Sequence, residues 1–334
     1  MSSHDYLINR RALVVGASLA VAGTSVASLV APVAAAQEAT PGDGFANVGL
    51  ATLDVTVSST VYDGIPESLA AGRYLVTLTV AEDAGEFGGS IELVQPVGVT
   101  AEEYIAALAP PPEEDDVEAG EGTPALPPDA TPAEGGEAMG GPPAFFFESL
   151  FAGGVSAMTG QSAEVVLDLP AGRWVASSGG DPDQTQAPFI FEVTGEMPAA
   201  LPEPESDATI TMGEYVIEVT NGELVAGSQI VQVRNAGVQP HFIVWFKGPE
   251  GLTEDDVAAV LESDMTGTPA AVAFDPDEDL IPVFFTATQS TGTSIWTPVV
   301  LEPGTYGLVC FFPDIVDGMP HAYHGMYTIV EVGE

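Results

Sequence analysis

Leu69-Ala-Ala-Gly72 and Leu224-Val-Ala-Gly227 head two passages of this chain that run in step. After the first come a strand-like run to Val80, then Ser90-Ile-Glu-Leu-Val94, then Val99-Thr-Ala-Glu-Glu-Tyr-Ile-Ala-Ala-Leu108. After the second come a short apolar run at 230–234, then Phe242-Ile-Val-Trp-Phe246, then Leu252-Thr-Glu-Asp-Asp-Val-Ala-Ala-Val-Leu261. Further on, Leu169-Pro-Ala-Gly-Arg-Trp174 answers Leu301-Glu-Pro-Gly-Thr-Tyr306, and Phe189-Ile-Phe-Glu-Val193 answers Thr328-Ile-Val-Glu-Val332. The same segments in the same order at similar spacing mean one structural unit written twice.

Most of each unit reads as strand. Short runs rich in Val, Ile, Thr and aromatics, bounded by Gly, Pro or Asp, recur at the intervals a Greek-key sandwich requires. Each copy also carries one helical interruption. Thr100 with Glu103, and Thr253 with Asp256, have the spacing of an N-cap and its third-position acid, and apolar residues follow at helical spacing. The expected fold is therefore all-β: two Greek-key β-sandwich domains in tandem, each with a short helix of one to three turns crossing between the sheets. The expected boundaries are 44–195 for the first copy and 207–334 for the second, with a Pro- and Glu-rich linker at 196–206. Between 110 and 142 the composition shifts to Pro, Gly, Glu and Asp, with Pro110-Pro-Pro-Glu-Glu-Asp-Asp116 and almost nothing to bury. That stretch reads as a disordered loop insertion within the first copy.

Composition narrows the function. The 334 residues hold 49 acids against 6 cations, a net charge of −43. One Lys and five Arg cannot neutralise a run of phosphates, which excludes nucleic-acid binding by counterion release and attraction to an anionic membrane surface. A single cysteine, Cys310, excludes an intramolecular disulfide, a CxxC redox pair and a thiolate zinc cluster. No GxSxG elbow or phosphate-cradling glycine loop occurs.

Residues 1–36 read as an export signal rather than structure. Arg10-Arg11 precede an apolar run from Ala12, and Ala34-Ala-Ala36 supplies small residues before Gln37. Paired arginines ahead of a mildly hydrophobic stretch resemble a twin-arginine signal, so the chain is expected to be exported and to be periplasmic, extracellular or associated with the cell envelope.

The residues that carry chemistry lie in the second copy: His241, Cys310, His321 and Met326. Two imidazoles, a thiolate and a thioether make a set suited to copper, because the soft sulfur ligands favour Cu(I) and imidazole suits both oxidation states. His324 is an alternative to His321. The first copy contains no His or Cys, and Gly88 or Gly89 stands opposite His241, Ser178 opposite Cys310, and Ala187 and Pro188 near Met326.

Asn235-Ala-Gly-Val-Gln-Pro-His241, Pro303-Gly-Thr-Tyr-Gly-Leu-Val-Cys310 and His321-Ala-Tyr-His-Gly-Met326 resemble the plastocyanin group of cupredoxins over 207–332. The resemblance implies one copper ion, with His241, Cys310 and His321 as in-plane ligands and Met326 as the axial one. It implies single-electron transfer with a redox partner protein, or copper storage and delivery, and a docking rim of Phe311, Phe312, Pro313, Met319 and Pro320. The chain departs from the small family members in the ten residues between Cys310 and His321, so that loop must bulge out and return. Three histidines beyond the leader are too few for a trinuclear copper centre or for the second copper of nitrite reduction, and the chain is expected not to be an enzyme. The other reading is a metal-free cupredoxin-like module of the cell envelope with a structural or protein-binding role.

Overall fold

The computed structural model describes residues 45, 48–84, 88–108, 142–178 and 186–333. The expected export signal, and all but the last residue of the expected insertion at 110–142, lie outside the described residues. In the first copy the strands are β1 (Ala51–Val57), β2 (Tyr62–Asp63), β3 (Ser68–Ala70), β4 (Gly72–Val80), β5 (Gly89–Gln95), β6 (Leu150–Ala157), β7 (Ser162–Leu169), β8 (Gly172–Ser177) and β9 (Phe189–Thr194). In the second they are β10 (Ala208–Gly213), β11 (Val216–Gly222), β12 (Gly227–Asn235), β13 (Val244–Lys247), β14 (Ile281–Phe285), β15 (Ser294–Leu301), β16 (Gly304–Val309) and β17 (Tyr327–Val332). The helices are α1 (Ala101–Leu108), α2 (Ala144–Glu148), α3 (Glu254–Thr266) and α4 (Pro276–Asp279), with a 3-10 turn at His321–His324.

The two copies repeat each other in register. β1 lies parallel to β4 with Val57 opposite Val80, and β10 lies parallel to β12 with Met212 opposite Asn235. β4 then pairs antiparallel with β7, as β12 does with β15. The two half-sheets meet where β15 pairs antiparallel with β7 at Trp296 and Val166, giving one eight-stranded sheet in the order β11-β10-β12-β15-β7-β4-β1-β2. That order reads as a palindrome once β2, β1, β4 and β7 are matched with β11, β10, β12 and β15. The copies therefore meet through the same strand of each, as two subunits do across a two-fold axis. Each copy is closed into a sandwich by a second sheet, β14-β13-β16-β17 in one and β6-β5-β8-β9-β3 in the other. The molecule has a cupredoxin-like, tandem Greek-key β-sandwich fold.

Alternation produces these layers. Leu53, Val55 and Val57 of β1 and Tyr74, Val76, Leu78 and Val80 of β4 point inward between exposed or half-buried neighbours. Buried apolar side chains from both copies form one contiguous cluster, from Leu53 to Val332. The repeated Pro-Ala-Gly-Arg-Trp and Glu-Pro-Gly-Thr-Tyr segments are now explained. Gly172 and Gly304 hold φ of 155° and 149°, which side chains rarely adopt, and start β8 and β16. Two residues on, Trp174 and Tyr306 are buried, and each ties its polar tip four residues back: Trp174 Nε1 donates to Pro170 O at 3.0 Å and Tyr306 OH to Glu302 O at 2.9 Å.

The helix caps form as the spacing predicts. The amide of Thr100 donates to Glu103 at 2.8 Å, and that of Thr253 to Asp256 at 3.0 Å, each answered by the acid's amide donating to the threonine hydroxyl. The helices do not cross between sheets, however. Both α1 and α3 follow and precede strands of one sheet. Val257, Val260 and Leu261 of α3 pack with Phe246 and Val309, whose neighbours Trp245 and Leu308 face the main core on the opposite side. Helix α3 therefore covers the outer face of the β13-β16-β17 sheet, beneath the 3-10 turn. Segment 196–206 joins β9 to β10 without helix or strand, and Arg73 donates to Pro202 O at 3.0 Å. Arg73 also forks onto Asp168 at 2.7 and 2.9 Å and lies 4.4 Å over the Trp296 ring, where the two copies join. No helix among the described residues is long and apolar enough to cross a membrane.

Candidate metal centre

His241 is placed by the loop between β12 and β13. The buried Asn235 at the end of β12 donates through Nδ2 to Gln239 O at 2.8 Å and Gln289 O at 2.7 Å, and its Oδ1 accepts from Gly237 N at 2.8 Å. His241 and Gln289 exchange both backbone hydrogen bonds, His241 N to Gln289 O at 3.0 Å and Gln289 N to His241 O at 2.8 Å. Cys310 directly follows β16, and its amide donates to Met326 O at 3.1 Å, just ahead of β17. The ten-residue loop leaves and returns as the sequence requires. Asp314 N donates to Met319 O, His321 N to Phe312 O and Met326 N to His321 O, at 2.8, 2.9 and 3.0 Å.

These links bring three donor atoms together. Cys310 Sγ lies 3.8 Å from His241 Nδ1 and 3.6 Å from His321 Nδ1, and the two Nδ1 atoms are 2.9 Å apart. The point in their plane equidistant from all three lies about 2.0 Å from each, the length of a metal–nitrogen bond and slightly short of a metal–sulfur bond. His241, Cys310, His321 and Met326 all have 0% exposure. Met326 sits in the same buried cluster as Cys310 and Phe312. His324 is outside the group: it is exposed, with Nε2 3.2 Å from Asp317.

Burial governs the electrostatics. It pushes the Cys310 thiol up to about 12, against backbone hydrogen bonds from Phe242 and Phe312. It also holds His241 below the ordinary imidazole range, and with the neighbouring His241 it brings His321 down to about 4. At neutral pH these directions make Cys310 a thiol and both rings neutral imidazoles in the absence of a metal. Two carboxylates face the rings from the other side, Glu214 Oε1 at 3.4 Å from His241 Nε2 and Asp314 Oδ2 at 3.8 Å from His321 Nε2. Burial alone would raise Asp314, but hydrogen bonds from Gln239, Tyr215 and the Val316 amide outweigh it and hold it at about 2. Glu214 is lowered in the same way, the Val238 and Gln239 amides outweighing burial.

Among the described residues the first copy has no such donor group. Counted along β5 and β13 from their pairings with β8 and β16, Gly89 stands in the place of His241, and Ser178 follows β8 as Cys310 follows β16. A Cβ on Gly89 would meet Val57 Cγ1 at 2.6 Å, so valine methyls fill the space the imidazole takes in the second copy.

The first copy instead walls the site of the second. The segment carrying Gln289 bridges to Ala152 of β6, and Ser290 Oγ donates to Ser149 O at 3.0 Å while accepting from Phe151 N at 2.9 Å. Phe312 stacks on Phe146 with ring centroids 5.6 Å apart and planes at 6°. This corrects the expected docking rim. Phe312 and Pro313 are buried, Phe311 and Pro320 are half-buried, and of that set only Met319 is exposed. The exposed apolar residues around this loop are Val238, Ile315, Val316 and Met319.

Glu92 of β5 accepts from Thr288 N at 2.9 Å across the same junction, and burial pushes it up to about 7 from 4.5. Between those values the folded chain binds more protons than the unfolded one, so Glu92 makes stability fall as pH rises. Glu92→Gln keeps an oxygen for Thr288 and removes the charge. Its stability should match the parent near pH 4 and exceed it at pH 8 by on the order of 3 kcal/mol in urea unfolding. An equal offset at both pH values would show that the buried charge is not the cause.

The buried His2Cys group, with Met326 beside it, fits a type-1 copper site, and the molecule is cupredoxin-like in fold and in donor set. No protein-family model matches the chain, and no curated protein matches its sequence. Among solved structures, auracyanin A, a "blue" copper protein from Chloroflexus aurantiacus, is 23% identical over 37% of this chain and 97% of its own, with a TM-score of 0.24. Copper nitrite reductase from Nitrosomonas europaea is 10% identical over 84% of this chain and 93% of its own, with a TM-score of 0.21. A multi-copper oxidase from Pseudomonas thermotolerans is 13% identical over 85% of this chain and 68% of its own, with a TM-score of 0.23. The expectation that the chain is not an enzyme is corrected here: the solved structures that match over both copies include enzymes, these last two among them. Counting histidines within one chain is blind to a site completed by ligands from outside it.

Proposed function

We propose that this is an exported copper-binding protein that holds one copper ion at His241, Cys310, His321 and Met326, for single-electron transfer with a redox partner protein or for copper handling. The observation that carries the reading is the buried triangle of His241 Nδ1, His321 Nδ1 and Cys310 Sγ, whose centre lies one bond length from each donor. When bound, copper supplies a one-electron couple. The residues supply a rigid, dry cage in which imidazole, thiolate and thioether suit both oxidation states. Export is read from Arg10-Arg11 and the apolar run after them. The domain limits proposed are 44–195, a linker at 196–206, and 207–334.

The partner's approach is set by the surface around the ligand loop. Val238, Ile315, Val316 and Met319 offer apolar contact, and the acidic chain around them favours a partner with a cationic face. The test is to add Cu(II) to the protein lacking 1–36, dialyse, and record metal content and the visible spectrum. One copper retained per chain with an intense thiolate band supports the reading. No retained copper and no band would sink it and leave the metal-free module.

A further inference from the structure

Both histidines of the proposed copper site turn their second ring nitrogen into the protein rather than to solvent. His241 Nε2 and His321 Nε2 are buried, and neither has a hydrogen-bond partner. Opposite them stand Glu214 Oε1 at 3.4 Å and Asp314 Oδ2 at 3.8 Å. We infer that Glu214 and Asp314 are positioning residues for the metal, each accepting the Nε2–H of its histidine when the two Nδ1 atoms serve as ligands, and that together they bias the site toward Cu(II). This inference rests on the copper reading above.

The proton inventory requires acceptors there. A neutral imidazole carries one hydrogen, on one nitrogen or the other. When both Nδ1 atoms are given over to a metal, each ring's hydrogen must sit on Nε2, where it is buried and needs an acceptor.

The carboxylates are fixed for that role. Glu214 accepts from Val238 N and, at 3.0 Å, from Gln239 N. Asp314 accepts from Tyr215 OH at 2.6 Å, from Gln239 Nε2 at 2.8 Å and from Val316 N at 2.7 Å. Gln239 also reaches Glu214 Oε2 at 3.2 Å, so one amide spans both acids, and its own Oε1 accepts from Ile315 N at 2.8 Å. The long loop between Cys310 and His321 thus has a use: it brings Asp314 under His321. A carboxylate on Nε2–H raises the basicity of Nδ1, and a more basic ligand favours the more highly charged ion.

The test uses Glu214→Gln and Asp314→Asn in the protein lacking 1–36, with Cu(II) and Cu(I) affinities measured by competition against chromophoric chelators and the potential by redox titration. Each variant should keep the thiolate band, lose about 10–100-fold in Cu(II) affinity, and lose less for Cu(I). A tenfold change in that ratio raises the one-electron potential by about 59 mV. Asp317→Asn, which removes an acid that faces His324 and no ligand, should leave the potential unchanged. Thermal unfolding of the empty variants separates a folding defect from a ligand effect, and if Asp314→Asn fails to fold, Glu214→Gln decides. A parent with the band but variants with unchanged potentials would overturn this inference alone, as would an equal shift in Asp317→Asn. A parent without the band would overturn the copper reading and this inference with it.

Discussion

Cys310→Ser should abolish the thiolate band of the copper-loaded protein and the retention of copper through dialysis, while the empty variant still folds. The two parts of that result have different physical causes. Without metal Cys310 is a buried thiol, pushed up to about 12 because the backbone hydrogen bonds from Phe242 and Phe312 do not offset the lost solvation of a thiolate. Only a cation between the three donors can supply that offset, so metal uptake and loss of the thiol proton are one event. Uptake at neutral pH should therefore release one more proton in the parent than in the serine variant, as isothermal titration in buffers of different ionisation enthalpy would show. Apparent affinity should rise with pH in the parent for the same reason. Serine is nearly isosteric, but its shorter bond to Cβ holds the hydroxyl back from the imidazole nitrogens that Cys310 Sγ faces at 3.6 and 3.8 Å. The metal-free variant should lose about 1–3 kcal/mol of stability, the cost of a buried hydroxyl without a partner. If the variant keeps copper with an unchanged band, Cys310 is not a ligand.

The legibility of this molecule follows from which interactions are local. The strand repeat, the Thr100 and Thr253 caps and the Gly172 and Gly304 turns depend on neighbours within a few residues, so they can be read from spacing. The gathering of His241, Cys310 and His321 is non-local, yet it shows in the sequence because the chain has one cysteine and few histidines. Glu214 and Asp314 could not be found that way. They are 2 of 49 acids, and what marks them is a ring nitrogen brought opposite by folding. Gln239 lay inside the segment leading to His241, but nothing in that segment shows that its amide spans two carboxylates. The burial of Phe312 is not legible for a related reason. An apolar residue beside a ligand loop reads as exposed rim until the other copy is known to lie on it. The placement of the helices is not legible because strand order within a sheet is not encoded in any one segment: β5 and β6, like β13 and β14, return to the same sheet across the helix.

Phe312→Ala should cost about 3–5 kcal/mol, the range for deleting a fully buried phenylalanine. Its ring has no exposure and meets Phe146, Phe147 and Phe151, with centroids at 5.6, 6.0 and 6.2 Å. All three partners come from the first copy, so a cavity at Phe312 opens the junction and not the interior of one sandwich. It also opens beside the metal centre, since the Phe312 ring is 5.9 Å from that of His321 and its carbonyl accepts from His321 N at 2.9 Å. Copper affinity should fall together with stability, whereas a cavity far from the loop would lower stability alone. Pairing Phe312→Ala with Phe146→Ala separates the alternatives. If the copies unfold as one unit through this stack, the double variant should be less destabilised than the two singles combined, by about 0.5–1.5 kcal/mol in chemical denaturation. Strict additivity, to within about 0.5 kcal/mol, would mean that the rings touch without coupling. The ligandless copy would then be a spacer. With coupling, it is a wall of the metal centre, and this accounts for its retaining the whole sandwich while valine methyls fill the place of the imidazole.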